Sequence, residues 1–158
     1  MTNHRQQLTL RLELIWWVLT AVVVLGVLFP IYAKVGAAYP FYGENILFIV
    51  VFITFTRFIF LLRHSFLADW EKVKILLVMV TPLLIFLLIN QLNFFQTFLD
   101  EQGVESFLTG GSIVDQEAMR RYISAEMLLF GVGSLVATVL LPFRLIVSIW
   151  RVRNRGTV

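Results

Sequence analysis

The chain has 158 residues, 59% of them apolar, 15% aromatic and only 15% charged, with a formal charge of +3. Soluble domains carry about 25% charged residues because their surface must be wetted, so a water-facing globule, a disordered chain and a nucleic-acid-binding domain are excluded. With a mean hydropathy of +0.85, the composition is that of an integral membrane protein built as one domain, residues 1–158. The absence of cysteine removes disulfides, thiolate metal sites and thiol catalysis. Two histidines, His4 and His64, do not make a metal or bis-histidine haem site, so no cofactor and no metal centre is expected.

Crossing a hydrocarbon core of about 30 Å takes roughly 20 helical residues, and four segments qualify. The first is uncharged from Leu14 to Tyr32. Its core outruns the roughly 7–15 residues of a signal-peptide apolar region, so it is expected to stay in the protein. The second runs from Ile46 to Leu62 with Arg57 inside it. A third starts near Val73 and ends in the polar run Asn90, Gln91, Asn93 and Gln96. The fourth, Ile123 to Trp150, holds Glu126 and Arg144, and it is long enough to tilt, kink at Pro142 or project into water. With their interfacial turns the spans cover about 12–33, 45–66, 73–97 and 116–150. None of them alternates apolar with polar residues, which excludes a β-barrel. The expected fold is all-α, an antiparallel bundle of four transmembrane helices.

Lys and Arg in the connections set the orientation. Arg5, Arg11, Arg57, Arg63, Lys72, Lys74, Arg144, Arg151, Arg153 and Arg155 fall on one side, against Lys34, Arg120 and Arg121 on the other. Both termini are therefore expected in the cytoplasm, with residues 99–115 outside and a cell (inner) membrane as the location. Between Arg63 and Lys74, Phe66, Leu67 and Trp70 are placed to dip into the interface while Arg63, Lys72 and Lys74 meet anionic headgroups. The acidic loop with Asp100, Glu101, Glu105, Asp115 and Glu117 lacks EF-hand spacing and reads as solvated. Gly110 and Gly111 break it. Either Glu44 or Asn45 is expected to start the second helix and Ser112 with Asp115 the last, where Glu117 faces Arg121 at i,i+4.

Ionisable groups inside spans pair or face a cavity. Arg57 and Glu13 enter neighbouring helices from the same side at similar depth, and an intramembrane ion pair between them would remove two lone charges. Snorkelling of Arg57 alone is the other reading. In the fourth helix Glu126, Phe130, Gly133, Ala137, Leu140 and Arg144 recur at spacings of 4, 3, 4, 3 and 4, one helical stripe with a small-xxx-small pair at Gly133 and Ala137. Such a stripe faces protein, either the other three helices or a partner. Asn90, Gln91, Asn93 and Gln96 could line an external vestibule with Glu126, or simply end a wetted helix. Phe52, Phe55, Phe58 and Phe60 could embrace a flat ligand.

No phosphate-binding glycine loop, nucleophile elbow or HExxH pattern occurs. The sequence therefore points to a non-catalytic accessory or scaffold subunit of a membrane complex, or to a homo-oligomer. A minimal oligomeric transporter or channel is the first alternative, and a lipid- or isoprenoid-binding protein or enzyme the second. Expected partners are the bilayer with its anionic headgroups and other membrane subunits or a second copy, and no nucleic acid.

Overall fold

A computed structural model describes residues 2–68, 70–103 and 112–154, with side chains from Gln7 onward. The readings placed on Glu105, Gly110, Gly111 and Arg155, and on the side chains of His4 and Arg5, fall outside the described residues. Among the described residues the chain forms four long helices, α1 (Thr2–Val35), α2 (Tyr42–Leu61), α3 (Glu71–Glu101) and α4 (Ile113–Arg153), with short 3-10 turns at Gly36–Ala38, Leu62–His64 and Phe66–Ala68. All four are long and apolar enough to cross a bilayer.

The start of α4 follows the sequence expectation, and the start of α2 departs from it. Helix α4 begins at Ile113, and its 41 residues reach about 60 Å, twice a hydrocarbon core. Its start is set by Ser112, whose Oγ accepts the Asp115 N–H at 3.2 Å and donates to Asp115 Oδ2 at 2.7 Å. Glu117 then holds both Arg120 and Arg121, at 3.0 and 2.9 Å. Helix α2 begins at Tyr42 rather than at Glu44 or Asn45, and no side chain caps it. Asn45 instead points inward, fully buried. Helix α1 stops where Gly36 takes φ +66°, a left-handed turn that glycine enters without a Cβ clash. The same device ends α3, where Gly103 has φ +69° and its N–H, with that of Gln102, returns to the Phe98 carbonyl.

Successive helices run antiparallel, so α2 and α4 are parallel, and these two make the most extensive contact in the molecule. Helix α3 packs on another side of α4, while α1 attaches mainly to α2. Two apolar clusters fill the interior. Phe41, Phe48, Leu88, Leu92, Phe95, Ile123 and Met127 centre the larger one. Phe58, Leu62, Leu67, Leu141 and Leu145 make the smaller, near the basic end that holds Arg57, Lys72 and Arg153. The outer surface is apolar as well: Leu14, Val22 and Phe29 of α1, Met79 and Phe86 of α3, and Leu129 and Phe143 of α4 are all exposed.

The face that α4 turns inward is Ile123, Met127, Gly131, Ser134, Thr138, Leu141 and Leu145, together with Glu126 and Ala137. It lies beside the stripe drawn through the two charges. Leu140, a member of that stripe, is 49% exposed, and Phe130 and Gly133 are only half-buried. The physical reason is reach. Glu126 and Arg144 extend sideways to their partners, so the small residues, not the charges, mark the true line of contact.

Candidate functional site

Glycine decides how closely α4 approaches its neighbours. A Cβ on Gly131 would lie 2.9 Å from Leu92 Cδ1 and 3.5 Å from the Phe48 ring, so this residue sits where α2, α3 and α4 meet. A Cβ on Gly133 would lie 2.9 Å from the Phe52 ring, which also stacks edge-on against Phe130 at 5.9 Å. Phe52, Phe55 and Phe58 are occupied by packing and Phe60 is exposed, so the four phenylalanines do not gather around one shared ligand space. Ser134 and Thr138 spend their hydroxyls on carbonyls one turn back in α4, at 2.8 and 2.6 Å.

Around this contact the intrahelical charges close on partners within the chain. At one end Asn45 Nδ2 donates to Glu126 Oε1, so the α4 carboxyl is held to the first turn of α2. Tyr39, buried in the connection before α2, lies beside Asn45, and burial pushes its phenol well above the ordinary range. At the other end Arg144 Nε donates to the Ile59 carbonyl at 2.9 Å. Ile59 is among the last four residues of α2, whose carbonyls have no partner within the helix. Glu126 and Arg144 are about 27 Å apart along α4, and Asn45 and Ile59 about 21 Å apart along α2, so one helix spans the other end to end. The acidic group meets the positive end of the α2 dipole and the guanidinium its negative end.

Near the basic end Arg57 Nη2 lies 2.5 Å from Glu13 Oε2, with the two side chains 7% and 14% exposed. Glu13 also accepts the Phe66 N–H at 3.2 Å through Oε1, and the Arg57 guanidinium sits 5.0 Å from the centre of the Phe58 ring. One carboxylate thereby ties α1 to α2 and to the turn that follows it. A groove of about 240 Å³ opens beside this pair, walled by Trp16, Thr20, Ile53, Phe58 and Leu77.

Two sequence expectations are corrected here. Lys74 does not reach a headgroup: it is 2% exposed, and its Nζ donates to the Ala68 carbonyl at 2.7 Å and meets Ser148 Oγ at 3.1 Å, pinning the start of α3 to the end of α4. Leu67 is likewise fully buried, whereas Phe66 and Trp70 are exposed. Asn90, Asn93 and Gln96 are exposed on α3 and Gln91 is half-buried, while α3 turns Leu88, Leu92 and Phe95 inward. They do not join Glu126, so no vestibule forms between them. The reason is periodicity, because the three apolar residues claim the packed face and leave the amides on the other.

Sequence reasoning missed Asn45 as the partner of Glu126. The available signal was a carboxamide at the start of an otherwise apolar span. It also missed Tyr122, whose hydroxyl donates to the Val27 carbonyl of α1 at 2.9 Å. Among the described residues no cluster of three or more His, Asp or Glu is placed to hold a metal ion. No protein-family model, no curated protein and no solved structure matches this chain.

Proposed function

We propose that this chain is a multi-pass protein of a cell (inner) membrane, spanning it four times with both termini cytoplasmic, and that it acts without catalysis. Its role is that of an accessory or scaffold subunit of a membrane complex, or of a self-associating unit. The observation that carries this reading is where the charges go. Glu13, Arg57, Glu126 and Arg144 each close on a group of the same chain, whereas a transport path needs such groups to face a water-filled cavity. Their work is to hold helices together. What the spans present outward is largely apolar side chain, which suits lipid and neighbouring helices alike.

Purification in a mild detergent, followed by native mass measurement, tests the role. A multiple of the 18.3 kDa chain, or a stoichiometric complex with another membrane protein, is the expected result, and a lone chain overturns it. Sidedness is tested separately. The chain lacks cysteine, so single cysteines introduced near Arg11 and Arg153 should react with an impermeant thiol reagent only from the cytoplasmic face.

A second reading is favoured by the groove beside Glu13 and Arg57. At about 240 Å³ it falls below the roughly 300–1,000 Å³ of sites for drug-sized ligands, and its walls are apolar, which suits one acyl or isoprenoid chain. Mass spectrometry of lipids retained by the purified protein distinguishes this reading. A single lipid species held at one per chain, and lost in Thr20→Trp, supports it.

A further inference from the structure

The Asn45–Glu126 contact leaves two atoms unexplained. Asn45 Nδ2 donates to Glu126 Oε1, but Asn45 Oδ1 and Glu126 Oε2 are both buried with no hydrogen-bond partner among the described residues. Both are acceptors if the carboxyl is ionised. Turning the Asn45 amide over does not help, and the buried Tyr39 hydroxyl beside Asn45 is a single donor that serves at most one of the two oxygens, so one donor is still missing. Glu126 is 6% exposed and Asn45 is fully buried, so bulk solvent does not reach either atom.

The surroundings supply no full positive charge to balance a carboxylate, only the partial charge at the start of α2. The ion pairs of the described residues use Glu13, Glu71 and Glu117, not Glu126. The connection before α2 brings Tyr39 beside Asn45, with Glu44 near enough to act on that phenol. On α4 itself Tyr122 has its hydroxyl committed to Val27 of α1. Helix α3 contributes Leu92 and Phe95 to the same core. An unpaired negative charge buried in such a place is strongly disfavoured.

We propose that Glu126 is a proton-binding site: its carboxyl carries a proton on Oε2, which donates to Asn45 Oδ1 and closes a ring of two hydrogen bonds between a carboxylic acid and a carboxamide. A single proton then satisfies both otherwise unpartnered atoms and leaves the site neutral. The ring joins α2 to α4, so removing the proton places a bare charge in their contact and loosens it. The inference concerns this site alone and holds whatever the chain associates with.

Infrared difference spectroscopy tests it on the full chain in lipid at neutral pH. The spectrum of the wild type minus that of Glu126→Gln should contain the carbonyl band of a protonated carboxylic acid, shifted on exchange into D2O. Loss of carboxylate bands instead overturns the proposal. Gln offers the same donor and acceptor as the acid, so this variant is expected to keep the fold. If it does not fold, the wild type labelled with 13C-carboxyl glutamate gives the answer: an isotope-shifted acid band supports the proposal, and a spectrum of carboxylates only overturns it.

Discussion

Helix α2 lays its side chains directly on the α4 backbone, while α1 meets its neighbours side chain to side chain. Between α2 and α4 the glycines at 131 and 133 let the Phe48 and Phe52 rings rest directly on the α4 main chain, and both ends of α2 are held by groups from α4. Helix α1 offers a narrow seam, Trp16, Thr20, Val24, Val27, Leu28 and Ile31, fixed by Glu13 at one end and by Tyr122 near the other. Between Leu14 and Tyr32 the rest of its surface is mostly exposed apolar side chain. The difference follows from the absence of a hydrophobic driving force between helices in lipid, where association depends on close van der Waals fit and on hydrogen bonds. Where small residues permit close fit, packing dominates. Where they do not, a few polar links carry the attachment.

The largest expected effect tests the α1 side. Glu13→Leu leaves Arg57 buried without its carboxylate and should destabilise the fold by about 3–5 kcal/mol, while Glu13→Leu with Arg57→Leu should recover most of that. Disulfide formation between cysteines introduced into α1 and α2, read beside thermal unfolding in detergent, would show α1 detaching while α2 and α4 stay joined. Equal loss in the single and double variants would mean that the charges do not act as a pair.

On the α2–α4 side, Gly133→Leu pushes a side chain into the Phe52 ring. It should cost about 1–3 kcal/mol through overpacking, and a cysteine pair across α2 and α4 should cross-link more slowly while one across α1 and α2 does not. Arg144→Leu removes the donor to the Ile59 carbonyl and the cation at the end of α2, for a loss of about 1–2 kcal/mol. Its thermal midpoint should fall less than that of Gly133→Leu. The smallest effect belongs to Leu140→Ala, within about 0.5 kcal/mol because that side chain faces outward. A loss comparable to that of Gly133→Leu would instead place the packed face on the line through Leu140.

Much of the scaffold was legible before any coordinates. Uncharged runs give four long helices because backbone groups without water must bond within their own segment, and Ser112 with Asp115 sets the start of α4 by local hydrogen bonding alone. Glu13 and Arg57 were legible as neighbours in depth, since position along a helix follows from residue count. Asn45 was not, because its partner lies 81 positions away and nothing in local pattern selects Glu126 over solvent. Lys74 was misread for a related reason: a lysine at a helix start is ordinarily wetted, and only the turn at Phe66–Ala68 folding over it supplies the Ala68 carbonyl.

The amino-acid order alone thus determined how many helices form, where each apolar run lies and which end of the bundle is basic, because these depend on composition along a single segment. Tertiary structure decided which face of α4 turns inward, that α2 and α4 lie in parallel contact, and which partner each inward-pointing charge takes. Those outcomes depend on shape and hydrogen-bond geometry between segments far apart in the chain, where a displacement of one residue in register exchanges a buried side chain for an exposed one.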